Sequence, residues 1–242
     1  MKKWKLPAPE VDIRSFRFSK LNQKEYRHFY LLLFWPVYYL RYFIVEAINP
    51  ASAACHVMYS PLDDLIPVCE FFLIPYALWM VCMLGMHFFT AIYDVDTFKK
   101  YSKYMIIAFT VSTLTFLVYP TCQNLRPETF ERDNFFTKIL AFVYAVDTST
   151  NVCPSEHVIG SMAILAAAIN CRYFRTPGRI TLVTVLMIVI SLSTVFLKQH
   201  SVLDIFWAMP LCLVTYLICF GIKKKPADSQ APIPSRRLSA DS

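Results

Sequence analysis

Residues 180–197 read ITLVTVLMIVISLSTVFL, without one charged side chain, and KQHSVLD at 198–204 leads directly into a second apolar run that ends near 222. An uncharged stretch of this kind is a candidate transmembrane helix, because about 20 residues at 1.5 Å each cross a bilayer core. Two such stretches joined by one short polar turn form a helical hairpin through the membrane, with backbone groups satisfied inside each helix. Working outward in the sequence, four further apolar segments appear at about 28–48, 66–92, 104–119 and 155–171. The predicted fold is therefore all-α, a polytopic membrane protein built as a bundle of six transmembrane helices.

The segment 155–171 is short and rich in small residues (Gly160, Ser161, Ala163, Ala166, Ala167, Ala168), which let helices approach closely. It is expected inside the bundle. A further apolar piece at 135–146 is too short to span and is predicted as an extra interfacial or re-entrant helix. Composition agrees: 56% of the 242 residues are hydrophobic, only 17% are charged, and the mean hydropathy is +0.43. Those values leave too little polar surface for an ordinary soluble protein. The 20 Phe, 14 Tyr and 4 Trp supply lipid-facing surface and interfacial belts.

Lysine and arginine set the orientation. Eight precede the first span, three lie at 99–103, three at 172–179 and five in the tail after 222, so nineteen of the 24 share one side. That side is expected to be cytoplasmic, with both termini on it. The opposite side holds Arg126, Arg132, Lys138 and Lys198, and Arg41 lies within the first span. The net charge of +7 thus reflects topology, and no nucleic-acid partner is expected. Three regions follow: a basic cytoplasmic segment at 1–27, a membrane domain at 28–222 and a disordered tail at 223–242. Ala51-Ser52-Ala53 resembles a signal-peptidase site, but the long polar lead and long apolar run favour a retained span. Arg236-Arg237-Leu238-Ser239 reads as solvated tail before it reads as a kinase site.

Four glycines leave little for a glycine-rich phosphate loop, and the eight cysteines form no CxxC pair. Neither a metal nor a cofactor is expected. Three polar elements fall on the side opposite the basic loops. Cys153-Pro154-Ser155-Glu156-His157 opens the fourth span. Proline at a first helical position, free amides and the helix dipole make an anion site there, to which Ser155 adds a hydroxyl and His157 a proton carrier. Alone, this element reads equally as a helix start with an interfacial histidine.

Lys198-Gln199-His200-Ser201-Val202-Leu203-Asp204 opens the sixth span. His200 and Asp204 are four apart and share a helix face. A carboxylate on one ring nitrogen fixes the tautomer and leaves the other nitrogen the better nucleophile. The structural alternative is a pair that closes a helix end, but an ionisable group inside an apolar segment is costly and usually functional. The third element, Tyr119 to Pro127, carries Arg126, whose guanidinium fork matches phosphate oxygens or, alternatively, snorkels to headgroups.

These elements, in this order, resemble the motifs of the type 2 phosphatidic acid phosphatase superfamily of lipid phosphatases and phosphotransferases. Arg126-Pro127 matches the end of the first motif. Pro154-Ser155-Glu156-His157 matches the second, with Glu156 in place of glycine. Ser193, His200 and Asp204 match the third, and the resemblance covers about residues 60–220. It implies that His200 attacks phosphorus, Asp204 orients it, and His157 protonates the leaving alkoxide and then activates water or an alcohol. It also implies phosphate binding by Arg126, Ser155 and helix-terminal amides, a lipid-phosphate substrate held in the bilayer, and an extracytoplasmic site.

Two departures stand out. Tyr119 occupies the place of the first-motif lysine and Thr194 that of the third-motif arginine. Lys198 is then the expected replacement phosphate-binding cation, and a lysine there resembles the branch with inositol phosphorylceramide and sphingomyelin synthases. Arg41, Glu46 and Glu70 lie in apolar segments, either beside the site or as a structural pair of Arg41 with one acid. Asp63 and Asp64 read as the end of a loop. Cys122 and Cys153 flank two motifs, and whether they pair is a matter of geometry. The rival reading is a non-catalytic transporter or scaffold that keeps the fold with a degraded site.

Overall fold

The computed structural model describes residues 8–49 and 54–221. The signal-peptidase-like site and the tail at 223–242 lie outside them. The elements are α1 (Phe34–Ile48), β1 (His56–Val57), α2 (Pro61–Asp64), α3 (Leu73–Tyr93), α4 (Val95–Val118), β2 (Thr121–Cys122), α5 (Phe135–Val146), α6 (Glu156–Asn170), α7 (Pro177–Phe196) and α8 (Val202–Phe220). The fold is all-α apart from the two-residue parallel pairing of β1 with β2. Five helical segments are long and apolar enough to cross a membrane: Arg27–Ile48, Glu70–Tyr93, Val95–Val118, Pro177–Phe196 and Val202–Phe220. They make this an integral membrane protein.

Two of these segments begin as 3₁₀ turns, at Arg27–Leu33 and at Glu70–Phe72. In each, a proline is the third residue of the following α-helix: Pro36 in α1 and Pro75 in α3. A proline ring clashes with the carbonyl four residues back and offers no N–H, so α-geometry cannot extend upstream.

The sixth expected span, α6, has only 15 residues and does not meet the length of the other five. Its ends nevertheless sit at opposite ends of the bundle. At one end, Ser155 N–H donates to Asp204 O where α8 begins. At the other, Arg172 N–H reaches the Asp94 carboxylate between α3 and α4. Helix α6 packs against α3, α4, α7 and α8. Its small residues are buried, as their close-packing role requires. Gly160 is the tightest point: a Cβ there would meet Met83 Sδ at 2.5 Å and Trp79 Nε1 at 2.7 Å.

One end of the bundle carries the basic loops and the docked N-terminal segment, where Glu10 and Val11 N–H groups donate to Ile92 O. The opposite end, called the mouth here, is roofed by α5. Asn134 caps α5 and binds Glu70 Oε1 at 2.8 Å, while Tyr144 Oη donates to Leu197 O at 2.7 Å. Both ends of α5 are thus held at the mouth, and the 12-residue helix lies over it.

Candidate active site

The α7–α8 turn decides which side chains reach the interior. Helix α7 ends with Lys198 N–H on Val195 O and Gln199 N–H on Thr194 O, the paired bonds of a Schellman cap. Its left-handed position, usually glycine, is Lys198 at φ 52°. The chain turns sharply there, so Lys198 and its two successors diverge. Lys198 Nζ donates to Asp63 O at 2.6 Å, in a shallow pocket with Tyr59, Asp64 and Asn124. Burial lowers the Lys198 pKa below its usual value, against the pull of Asp63 and Asp64. Gln199 and His200 turn the other way, into a larger cavity.

The start of α8 is capped twice. Ser201 accepts from Leu203 N–H and Asp204 accepts from Ser201 N–H, a capping box. Asp63, from α2, adds bonds to Ser201 Oγ at 2.6 Å and to Val202 N–H at 2.8 Å. Asp63 therefore does more than end a loop: it is buried and ties α2 to the α7–α8 turn. Asp204 is fully buried, and its Oδ2 lies 3.1 Å from His200 Nδ1. A neutral imidazole held in this way carries its proton on Nδ1 and leaves a lone pair on Nε2.

His157, in the first turn of α6, lies across from His200 with ring centroids 5.7 Å apart. It is sandwiched against Tyr76 at 4.5 Å and Trp79 at 4.2 Å, both on α3. Gly160, one turn along α6, is what lets Trp79 and Met83 come this close. The two histidines line a cavity of about 590 Å³ bounded by α1, α3, α5 and the 147–157 segment. Its wall is mixed: Leu73, Ile74, Phe136, Ile139 and Val143 are apolar, whereas Arg41, Glu46, Asp147 and Glu156 are charged.

Arg41 pairs with Glu156, at 2.7 Å and 2.8 Å, and also donates to Thr113 Oγ1. The expected partners Glu46 and Glu70 are engaged elsewhere. Glu46 accepts from Thr148 and Asn151, and Glu70 from Asn134 and Arg132. Glu156, the departure from the glycine of the second motif, thus exists together with Arg41. Asp147 accepts from both Tyr42 and Tyr76 hydroxyls. Trp79 was not singled out from sequence, where it is one more aromatic in an apolar helix.

The phosphate-binding set expected from sequence does not converge on this cavity. None of Arg126, Ser155 and Lys198 lines it. All four terminal N–H groups of Arg126 are taken, by Tyr144 O, Asp147 O, Thr148 O and Gln199 Oε1. Arg126 is half-buried under the α5–α6 connection, and that desolvation holds its pKa below the usual arginine value. Ser155 is fully buried behind the helix start, and Lys198 is directed at Asp63. For Arg126 and Lys198 the physical reason is the same, since backbone carbonyls take their donors; the Ser155 hydroxyl is buried and has no hydrogen-bond partner.

Cys122 does not pair with Cys153. It forms a disulfide with Cys55, and Cys153 is free and buried. That bridge clamps β1 to β2 at the mouth, where Tyr119 stacks on His56 with centroids 3.8 Å apart. Tyr119, in place of a lysine, thereby contributes to this clamp. Thr194, in place of an arginine, gives its carbonyl to the N–H groups of Gln199 and His200. Among the described residues, no group of three or more His, Cys, Asp or Glu side chains converges as a metal site.

Apolar helices around a half-buried histidine pair, one ring braced by a carboxylate, define a membrane protein with a partly polar, histidine-lined cavity inside its bundle. The sequence model of the PAP2 superfamily matches residues 100–227, more than half of the chain, and the chain belongs to that superfamily. Members of the superfamily are phosphatases or phosphotransferases. No curated protein and no solved structure matches the chain.

Proposed function

We propose that this chain is a lipid-phosphate phosphatase or phosphotransferase that works through a phosphohistidine on His200. The observation that carries the reading is the pairing of His157 with His200 across one membrane-embedded cavity, with Asp204 on the far nitrogen of His200. In the first step His200 Nε2 attacks phosphorus. An N–P bond forms, the P–O bond to the lipid alkoxide breaks, and protonated His157 gives that alkoxide its proton. In the second step neutral His157 takes a proton from water or an alcohol as its oxygen attacks phosphorus, and the N–P bond breaks with its electrons returning to Nε2. Water as acceptor makes a phosphatase; an alcohol makes a transferase. Trp79 and Tyr76 fix the plane of His157, and the apolar part of the wall suits lipid chains.

In this reading α6 is a sixth crossing helix within a catalytic domain at 28–222, and both termini are cytoplasmic. The basic loops gather at the end away from the histidines, and the Cys55–Cys122 bridge lies at the mouth, as an extracytoplasmic site requires. Lys198 two residues before His200 is similar to the inositol phosphorylceramide synthase-like branch, which favours headgroup transfer.

One observation favours a second reading, a non-catalytic membrane protein with a degraded site: none of the three expected phosphate ligands lines the cavity. The deciding experiment assays purified protein with phosphatidate, a polyprenyl diphosphate and phospho-headgroup donors, with water or diacylglycerol as acceptor. Turnover of one class that disappears in His200→Ala supports the enzyme. Absence of turnover with every class, from folded protein, supports the second reading.

A further inference from the structure

With the expected cations turned away, the cavity still has a donor beside His200. Gln199 is only 2% exposed, yet it lines the cavity, and its Nε2 has no hydrogen-bond partner. A buried N–H₂ without an acceptor is costly, and native proteins rarely leave one unfilled. The orientation of the amide is fixed chemically. Arg126 Nη2 donates to Gln199 Oε1, and an arginine offers only donors, so the reversed amide would set N–H against N–H. Gln199 lines the cavity and Arg126 does not, and the NH₂ is the end of the amide away from Arg126. The backbone is held as firmly: Gln199 N–H is bound to Thr194 O, and Gln123 Nε2 binds the preceding carbonyl, Lys198 O, at 2.9 Å.

We propose that Gln199 is a catalytic residue whose side-chain NH₂ binds a non-bridging oxygen of the phosphoryl group attacked by His200, with Arg126 as the positioning residue that aims it. This rests on the phosphoryl-transfer reading above. A neutral, pre-aimed donor one residue from the nucleophile takes the role that a cation was expected to fill, and such donors act most strongly where water is excluded. The residue type is also explained. Only a side chain with an acceptor for Arg126 at one corner and a donor at the other satisfies both neighbours.

The test uses the full chain in detergent and titrates orthovanadate, a phosphoryl-group mimic, by calorimetry. Gln199→Glu keeps the acceptor facing Arg126 but turns the cavity-facing donor into a second carboxylate oxygen. Vanadate affinity should fall about 10²-fold or more while the melting temperature stays near wild type. Gln199→Met removes the donor without adding charge and should weaken binding about 10- to 100-fold; it carries the test by itself if the glutamate variant does not fold. Equal vanadate affinity in wild type and a folded Gln199 variant overturns the Gln199 assignment alone. No vanadate binding by the wild type overturns the phosphoryl-transfer reading and the assignment with it.

Discussion

Arg41 and Glu156 meet as a bidentate pair, Nη1 to Oε1 at 2.7 Å and Nη2 to Oε2 at 2.8 Å, with side chains only 16% and 14% exposed. Tyr38 Oη adds a third donor to the same carboxylate. The pair joins α1 to the first turn of α6 beside His157, so it fixes where that histidine stands. Breaking a buried pair leaves one charge uncompensated, whereas removing both charges together is far less costly. Glu156→Gly, which restores the residue of the resembled motif, should therefore destabilise the protein by about 3 kcal/mol. Adding Arg41→Leu should recover most of that loss. Reversible unfolding of the two single variants and the double variant checks this; additive losses would contradict coupling.

The cysteine arrangement gives a second expectation. Blocking free thiols in denaturant before reduction should modify six of the eight cysteines, and the last two only after reduction. Peptide mapping should join Cys55 to Cys122. Replacing both by serine should cost about 2–4 kcal/mol, because the bridge closes a long loop in the unfolded chain. A Cys122–Cys153 cross-link would contradict the geometry at the mouth.

Much of this was legible in the sequence, because the membrane imposes rules that composition must obey. Uncharged runs gave α7 and α8, the small residues gave the interior place of α6, and length set α5 apart from the five long apolar segments. The His200–Asp204 contact was legible from spacing, but not as a shared helix face: His200 precedes the Ser201 cap, and Asp204 reaches back to it from the first turn of α8. What sequence did not reveal is direction. A Schellman cap normally announces itself by glycine, and here Lys198 holds the left-handed position, so nothing signalled that its side chain would leave the cavity. Arg126 carried the chemistry of a phosphate ligand, but its carbonyl partners belong to the end of α5 and the chain just after it, about 20 residues away, whose path no local pattern sets. The Arg41–Glu156 pair joins residues 115 apart. Gln199 was visible only as the residue before a histidine.

Topology gives a third expectation. Glu131→Cys, on the mouth side, should react with an impermeant maleimide from outside intact cells. Lys99→Cys and Thr176→Cys should react only after permeabilisation. Because 131 and 176 flank α5 and α6 together, labelling of both from the same side would show that α6 does not cross or that α5 crosses as well. The shared placement of the histidines outside the cytoplasm would then fail.

The most direct test of the central claim is to trap the phosphoenzyme. Wild-type protein is quenched during turnover of a lipid phosphate labelled at phosphorus and then mapped by mass spectrometry. The mechanism predicts one modified residue, His200, with the acid-labile, base-stable behaviour of an N–P bond, and no trapped label in His200→Ala. His157→Ala should slow both formation and breakdown of the species, since one group serves as acid and then as base. Label on any other residue, or turnover by His200→Ala near the wild-type rate, would contradict the account.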